Sequence, residues 1–247
     1  MREARNAGFT LVEMVVVIVL LGIVGAMTSQ LILPLLTSYT ESRVVDRLYG
    51  DAKFAVERID REIRMSIPNS LRTVASDTGI QFGRLKDAAY YSDRPANNKH
   101  IELDATTYPT MAVGDQLSIY NTNPNQFYNG NRNYQIDTLL AGNVVELDRK
   151  PAPQSPLRRF YCFDLAQSPV TFYHSGTQLI RSFGYGLGGA IDGTAGGNVV
   201  ATNVQSAAFS YDPGNMTRNA TLKIDLTMAA NGISLNYSHK IHIRNMP

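Results

Sequence analysis

Residues 8–36 read GFTLVEMVVVIVLLGIVGAMTSQLILPLL. A short segment that ends in the carboxylate of Glu13 is followed by a long apolar block. The block, Met14–Leu36, has no charged residue, and its 23 residues would form a helix about 34 Å long at about 1.5 Å per residue. A bilayer core is about 30 Å thick, so the block can cross it. Arg2 and Arg5 precede the block and predict, by the positive-inside rule, that the N-terminus faces the cytoplasm.

An ordinary secretory signal peptide and a plain signal anchor are the alternatives for this segment. The small residues Gly25 and Ala26 would suit a signal peptidase. However, the chain becomes apolar again at Leu31–Leu36, and Glu13 at the head of the block contributes nothing to a signal peptide. A cut after Gly8 would instead leave the whole apolar helix on the mature protein.

The junction Gly8-Phe9, with Glu13 ahead of the apolar run, resembles the prepilin peptidase site of type IV pilins and type II secretion pseudopilins. The resemblance implies cleavage after Gly8 and N-methylation of Phe9. Residues 1–8 would then be a prepilin leader peptide, and residues 9–36 a transmembrane and assembly helix.

Glu13 is expected to have an assembly role. A carboxylate on an apolar helix is costly unless it is paired. The resemblance implies that such helices pack together in a filament interior, where an unpaired carboxylate would cost several kcal/mol or become protonated. We therefore expect Glu13 to pair with the terminal amine at Phe9 of a neighbouring subunit and to fix the axial register.

Residues 37–68 are predicted to continue the helix in amphipathic form. The predicted helix runs from Phe9 to Ser66, and Pro68 stops it. Charged residues surround a stripe of apolar side chains at helical spacing, which consists of Val44, Leu48, Ala52, Val56, Ile59 and Ile63. Gly22, Gly25 and Pro34 predict a helix break in the membrane half, because proline removes a backbone donor. Close packing against other helices is the alternative role of the two glycines.

Residues 69–247 are predicted to form an antiparallel β domain, because the apolar period changes to two. Asn231-Gly232 lies between two alternating segments and is the strongest hairpin signal. A second hairpin is expected across 170–173 and 179–183. The other expected strands are 80–82, 101–103, 116–120, 133–138, 144–148, 160–165 and 207–211, whereas 121–133 and 184–198 are expected to be loops. The fold class is therefore α+β and pilin-like, with the long N-terminal helix packed on the C-terminal β domain.

No catalytic or metal site is expected. The net charge of +2 predicts no nucleic-acid partner, and the four histidines show no chelating spacing. The spacing of Gly184, Gly186 and Gly189 matches a dinucleotide fingerprint by letter only, because no helix follows it. Asp192 and Asn198 flank a glycine-rich loop and could ligate calcium, but the loop has few carboxylates, so no calcium site is expected. Cys162 is the sole cysteine and is expected to be a buried free thiol. We expect no cofactor and no enzymatic activity.

Three further segments resemble the larger minor pilins of the W and J type, namely RLYGDA at 47–52, VERIDREIR at 56–64 and IHIRNMP at 241–247. The resemblance implies an inner-membrane anchor, a periplasmic head, and later a place in a pilus. It also implies partners, which are other major and minor pilins, the prepilin peptidase, the inner-membrane assembly platform and the lipid bilayer. The alternatives are a J-type pseudopilin of type II secretion, a tip adhesin with exposed Tyr128, Tyr134 and Tyr185, and a membrane-tethered enzyme.

Overall fold

The computed structural model describes residues 8–93, 99–104, 110–152, 154–188, 197–214 and 219–243. It contains two compact units, Met1–Arg47 and Leu48–Pro247. The first long element is helix α1, Leu11–Arg64, with 54 residues. The sequence predicted a helix over residues 9–66, so each end is two residues shorter than expected.

The last part of α1 belongs to the second unit and carries its apolar stripe into the core. Its buried residues are Leu48, Ala52, Ala55, Val56, Ile59 and Ile63. They include every predicted stripe member of this unit, with Ala55 added. Burying a Leu, Ile or Val side chain stabilises a fold by about 1.5–3 kcal/mol, so the stripe is a main source of the attachment of the helix to the β domain.

The helix ends before Pro68 because the chain turns to meet a strand. The amides of Met65 and Ser66 donate to carbonyls three residues back, at 3.1 and 2.9 Å, which tightens the last turn. Ser66 then forms an isolated antiparallel bridge with Arg84.

The β structure comprises fourteen described strands in three antiparallel sheets. The strands are β1 Arg72–Val74, β2 Gly79–Phe82, β3 Asp87–Asp93, β4 His100–Leu103, β5 Gln116–Ser118, β6 Asn133–Leu140, β7 Val144–Leu147, β8 Arg159–Phe163, β9 Val170–Ser175, β10 Gln178–Phe183, β11 Asn198–Thr202, β12 Val204–Asp212, β13 Ala220–Ala230 and β14 Ile233–Ile243. The sheet orders are β1-β2-β9-β10-β11, β12-β13-β14, and a closed barrel β3-β4-β7-β6-β5-β8.

The five-stranded sheet turns one face toward the end of α1. Ile80 pairs with Phe172, and Phe172 pairs with Arg181, so the three side chains lie on one face. The Arg181 guanidinium reaches Glu62 of the helix, which identifies this face as the covered one. Phe82 stacks on Phe172 with ring centroids 6.3 Å apart.

The opposite face of this sheet is polar at its centre. Arg72 donates to Gln81 at 2.6 Å, and Gln81 donates to the Tyr185 hydroxyl at 2.6 Å. The Arg72 guanidinium also lies 3.7 Å from the ring centroid of the buried Tyr128. Gln81 is buried, and both its amide oxygen and its amide nitrogen are hydrogen-bonded, as buried polar groups usually are.

The three-stranded sheet confirms the strongest hairpin prediction. Strands β13 and β14 pair from Ala220↔Ile243 to Ala230↔Ile233. Asn231 and Gly232 both have positive φ, 53° and 78°, as a two-residue primed turn requires. The Tyr237 ring of β14 meets Tyr49 of α1 edge-on, with centroids 5.6 Å apart.

The barrel is inserted between β2 and β9, and the sequence did not predict it as a separate layer. Most of its strands were expected, but β3 was not, and β3 closes the barrel by pairing with both β4 and β8. Its core is apolar and consists of Ala89, Tyr91, Ile101, Leu103, Leu117, Ile119, Tyr134, Ile136, Val145, Leu147, Phe160 and Cys162.

Two stretches expected as loops contain regular structure. Helix α2, Pro124–Tyr128, lies within 121–133, with Asn123 as its N-cap and its side chain accepting from the Gln126 amide. Strand β11 begins at Asn198, at the end of the predicted 184–198 loop. The remainder of that loop from Gly189 to residue 196, with Asp192, lies outside the described residues, as do Arg2, Arg5 and the last four residues.

Candidate functional site

The Gly8-Phe9 peptide bond lies just outside the helix, in an exposed segment. Helix α1 begins at Leu11, and Gly8, Phe9 and Thr10 have no regular structure. Phe9 is 75% exposed, and apart from Gly8 and its two chain neighbours no atom lies within 4 Å of the position where Gly8 would carry a Cβ. A peptidase needs an accessible, non-helical bond, and this junction provides one.

Thr10 and Glu13 form the start of α1. The Thr10 hydroxyl accepts from the Glu13 amide at 3.3 Å, and the Thr10 carbonyl accepts from the Met14 amide at 3.2 Å. The spacing Thr-x-x-Glu is that of a capping box, and a carboxylate in the first turn interacts favourably with the positive end of the helix dipole. Glu13 therefore has a local role in addition to its expected assembly role.

Glu13 has an exposed side chain, and no cation pairs with it in the described part of the chain. In the uncleaved chain the Phe9 nitrogen belongs to a peptide bond and carries no charge. The predicted pair between Glu13 and a Phe9 amine therefore requires cleavage after Gly8 first, and it stays a prediction.

The apolar block displays its side chains on every side of α1. The large apolar residues from Leu11 to Leu36, a range that includes the block, are between 44% and 81% exposed. Among the described helices, α1 alone is long and apolar enough to cross a membrane. An apolar surface of this extent needs lipid or other helices to cover it.

The two hydroxyl groups inside the block are hydrogen-bonded within the helix. Thr28 donates to the Val24 carbonyl at 2.7 Å, and Ser29 donates to the Ala26 carbonyl at 2.9 Å. Such bonds lower the cost of placing hydroxyl groups in hydrocarbon.

The residues of the expected helix break lie within continuous helix. Helix α1 runs through Gly22, Gly25 and Pro34. The Thr37 hydroxyl donates to the Pro34 carbonyl at 2.9 Å, immediately after the proline. Both glycines have open space where a Cβ would stand, which leaves room for a closely packed neighbouring helix. Unwinding in an assembled filament stays a prediction.

Among the residues that the structure describes, the remaining candidate groups do not form a chemical site. Cys162 is a buried free thiol, as expected, and its Sγ lies 3.7 Å from a carboxylate oxygen of Asp115. Burial, with the Asp115 charge adding to it, raises the pKa of Cys162 to about 12, so the thiol is protonated and inert at neutral pH. Across the described ranges, no group of three or more His, Cys, Asp or Glu side chains could hold a metal ion.

The tyrosines proposed for an adhesive surface are not exposed as expected. Tyr128 is 4% exposed and Tyr134 is 2% exposed, and burial raises the pKa of the Tyr128 phenol well above its usual value. The Tyr185 hydroxyl is hydrogen-bonded to Gln81 and Thr171. Tyr134 lies in strand β6 and belongs to the barrel core, and Tyr128 ends helix α2 and packs with Ile67, Phe127 and Phe163. Their rings therefore face inward, where the sequence had predicted exposed loops.

Comparison with known proteins gives one family match. Residues 4–29 match the prokaryotic N-terminal methylation motif. The match contains Gly8, Phe9 and Glu13, and its C-terminal part lies in the exposed apolar block. Comparison with the curated proteins and with the solved structures gives no match for the chain.

Proposed function

We propose that this chain, which carries the N-terminal methylation motif of type IV pilin-like proteins, is a minor pilin that primes filament assembly or sits at the filament tip. The proposal rests on three features that occur together at the N-terminus. The family match covers residues 4–29, the Gly8-Phe9 bond within it is exposed, and an apolar helix begins directly after it at Leu11. A cut at this bond leaves a membrane-length helix with a charged amine at its head.

The head domain supports a minor rather than a major subunit. Major pilins often close a C-terminal disulfide loop, and a chain whose only cysteine is Cys162 cannot do so. The closed barrel between β2 and β9 also enlarges the head. A bulky head is more easily accommodated at an end of a filament than in every repeat of its shaft, because an end subunit has fewer neighbours.

More specifically, we propose that this minor pilin acts in the biogenesis of a mannose-sensitive haemagglutinin (MSHA) type pilus. Residues 47–52, 56–64 and 241–247 resemble the larger minor pilins of the W and J type, and within that group the chain resembles MshO of that pilus. Residues 244–247 lie outside the described residues, so this support comes from the sequence alone.

The pilin-type motif implies association with other pilins and with a prepilin peptidase, and the single apolar helix is consistent with a membrane-anchored protein. The proposed path is insertion in the inner membrane with a periplasmic head, processing, and extraction by the assembly platform into a pilus. In this role the protein is structural and not enzymatic.

A J-type pseudopilin of type II secretion is the second candidate, because the same motif and helix serve both filaments. A tip adhesin has less support, since the aromatic side chains expected to contact a ligand are buried or bonded. Purification of the intact protein from membranes, with its partners identified by mass spectrometry, distinguishes pilus subunits from secretion subunits.

The test of the proposal is the mature N-terminus. Mass spectrometry is expected to show N-methylated Phe9 as the first residue. A terminus near Met27 would establish an ordinary signal peptide and would rule out the pilin role.

A further inference from the structure

A cavity of about 350 Å³ lies in the second unit, between the last two turns of α1 and the five-stranded sheet. It is partly open to solvent. Most of its lining is cationic, and the lining residues are Arg58, Arg61, Glu62, Met65, Arg84 and Arg181. We call this cavity the arginine pocket.

The floor of the arginine pocket is a buried ion pair. Arg181 Nε donates to both carboxylate oxygens of Glu62, at 2.9 and 2.8 Å. The side chains are 7% and 18% exposed. Arg58 Nε also approaches Glu62, at 3.4 Å. One carboxylate therefore serves two guanidinium groups and cannot fully neutralise both.

The rim carries two more guanidinium groups, from the exposed residues Arg61 and Arg84. Arg84 donates to the neutral amide oxygen of Gln167 at 3.0 Å. Neither rim arginine forms an ion pair with a carboxylate among the described residues. The lining thus holds four guanidinium groups and one carboxylate.

The groups next to the rim do not neutralise this excess. An adjacent cavity shares Met65 and Arg84 and also contains Lys86 and Asp164. Lys86 is already paired with Asp115 at 2.6 Å. Asp164 caps a turn by accepting from the Ala166 amide at 2.8 Å. Even with Asp164 counted, positive charge predominates on this surface.

Such an arrangement is suited to binding an anion. Guanidinium groups that face one cavity repel one another, and a bound anion removes that repulsion. Guanidinium groups bind carboxylates through two parallel hydrogen bonds, and these charge-assisted bonds are stronger than neutral ones. The pocket volume falls in the range of ordinary ligand sites. The exposed side chain of Met65 offers apolar contact to the methylene groups of an acidic side chain.

We propose that the arginine pocket is an anion site that binds a carboxylate-rich segment of another protein subunit. Charge complementarity is the argument for this occupant, since the rim is cationic and open. The identification of that subunit as a neighbouring pilin rests on the proposed function, whereas the existence of the site does not.

The test uses the full chain, purified in detergent micelles, and a fluorescein-labelled peptide whose acidic residues are glutamates. A peptide of the same length with glutamine at those positions is the ligand control. We expect saturable binding of the acidic peptide and no binding of the glutamine peptide. The affinity for the acidic peptide should fall steeply as the salt concentration rises from about 50 to about 500 mM. Arg61→Gln/Arg84→Gln is expected to weaken binding by about tenfold or more, because both rim hydrogen-bond forks are lost.

Arg47→Gln/Lys240→Gln is the matched variant, because it removes the same charge from exposed positions outside the pocket lining. It is expected to bind within about twofold of wild type. An equal loss of peptide affinity in both double variants would show that the peptide responds to overall charge, and it would contradict a specific site in the arginine pocket. Displacement of the peptide by inorganic phosphate at concentrations below the peptide Kd would reassign the pocket to a free anion and would overturn the protein partner.

The peptide measurement does not depend on filament assembly. A non-methylated N-terminus would contradict the proposed pilin function but not a measured peptide site. Absence of peptide binding by a chain with methylated Phe9 would contradict the peptide site but not the pilin function.

Discussion

Arg181 of strand β10 donates from one nitrogen to both carboxylate oxygens of Glu62, at 2.9 and 2.8 Å, across a helix–sheet contact that excludes most water. The two residues are 119 positions apart in the chain. The pair fixes the rotation of the last turns of α1 over the sheet, because the carboxylate can reach Arg181 from one face of the helix only.

Removal of one partner of this ion pair is expected to lower the stability of the fold. Glu62→Gln leaves the Arg181 guanidinium buried without its counter-charge and should lower the free energy of unfolding by about 3–5 kcal/mol. Thermal unfolding followed by tyrosine fluorescence measures the effect, since the chain has 13 tyrosines and no tryptophan. Glu57→Gln is the control, because its partner Lys53 lies 3.8 Å away at an exposed site and such pairs contribute under about 1 kcal/mol.

A double variant that removes both charges tests whether the loss of stability comes from the unpaired buried charge of Arg181. Glu62→Gln/Arg181→Met replaces the buried cation with an apolar side chain, and stability should recover most of the loss. A double variant as unstable as Glu62→Gln would contradict the account of an uncompensated buried charge.

Cys162 gives a pH-dependent prediction. Its pKa is raised from 9.0 to about 12 in the folded chain, so the folded state holds the proton more tightly than the unfolded state. The stabilisation is complete below about pH 9 and is lost as pH rises from about 9 toward about 12. Subtracting the pH profile of Cys162→Ala from that of wild type cancels the titration of the tyrosines.

The same environment predicts slow reaction of the native thiol. At about pH 8, alkylation by iodoacetamide should follow unfolding and should become rapid only in denaturant. Rapid alkylation of the folded chain, or identical pH profiles for wild type and Cys162→Ala, would contradict the burial of the thiol.

The elements that the sequence predicted are those with local patterns. The stripe from Leu48 to Ile63 repeats at helical spacing, and Asn231-Gly232 specifies a turn that its own backbone can adopt. The Gly8-Phe9 junction and Glu13 were identified in the same way, because the motif is contiguous.

What the sequence did not reveal depends on distant partners. Strand β3, DAAYYSD, shows no clean alternation, and it is a strand because it pairs with β4 and β8 to close the barrel. Helix α2 did have a local signal, the N-cap Asn123 followed by Pro124, which the polar composition obscured. The arginine pocket combines residues from three segments that no sequence window contains.

The anchor is predicted to reside in one segment. Deleting residues 1–36 should yield a soluble chain, because this removes the apolar block of the one membrane-length helix among the described residues. Fractionation into membrane and soluble pools measures the outcome, with the full chain as the control. Continued partition of the truncated chain into membranes would point to a second membrane-binding surface in the head.

Glu13 gives the most specific assembly prediction. Glu13→Ala should leave membrane insertion intact, because the segment becomes more apolar, and cleavage after Gly8 should largely persist, because the bond stays exposed. Incorporation beside partner pilins should fail, since no carboxylate remains to neutralise the terminal amine of Phe9 on a neighbouring subunit. The measurement is co-purification with sheared filaments or partner pilins at equal membrane abundance.

Glu13→Gln distinguishes the charge from the helix cap. Glutamine at this position preserves a capping box with Thr10, so a requirement for the cap alone predicts wild-type incorporation. A requirement for charge predicts that Glu13→Gln fails as completely as Glu13→Ala, whereas Thr10→Ala, which removes the cap and keeps the carboxylate, still assembles. Undiminished co-purification of Glu13→Gln would show that the pair between Glu13 and the Phe9 amine does not guide assembly.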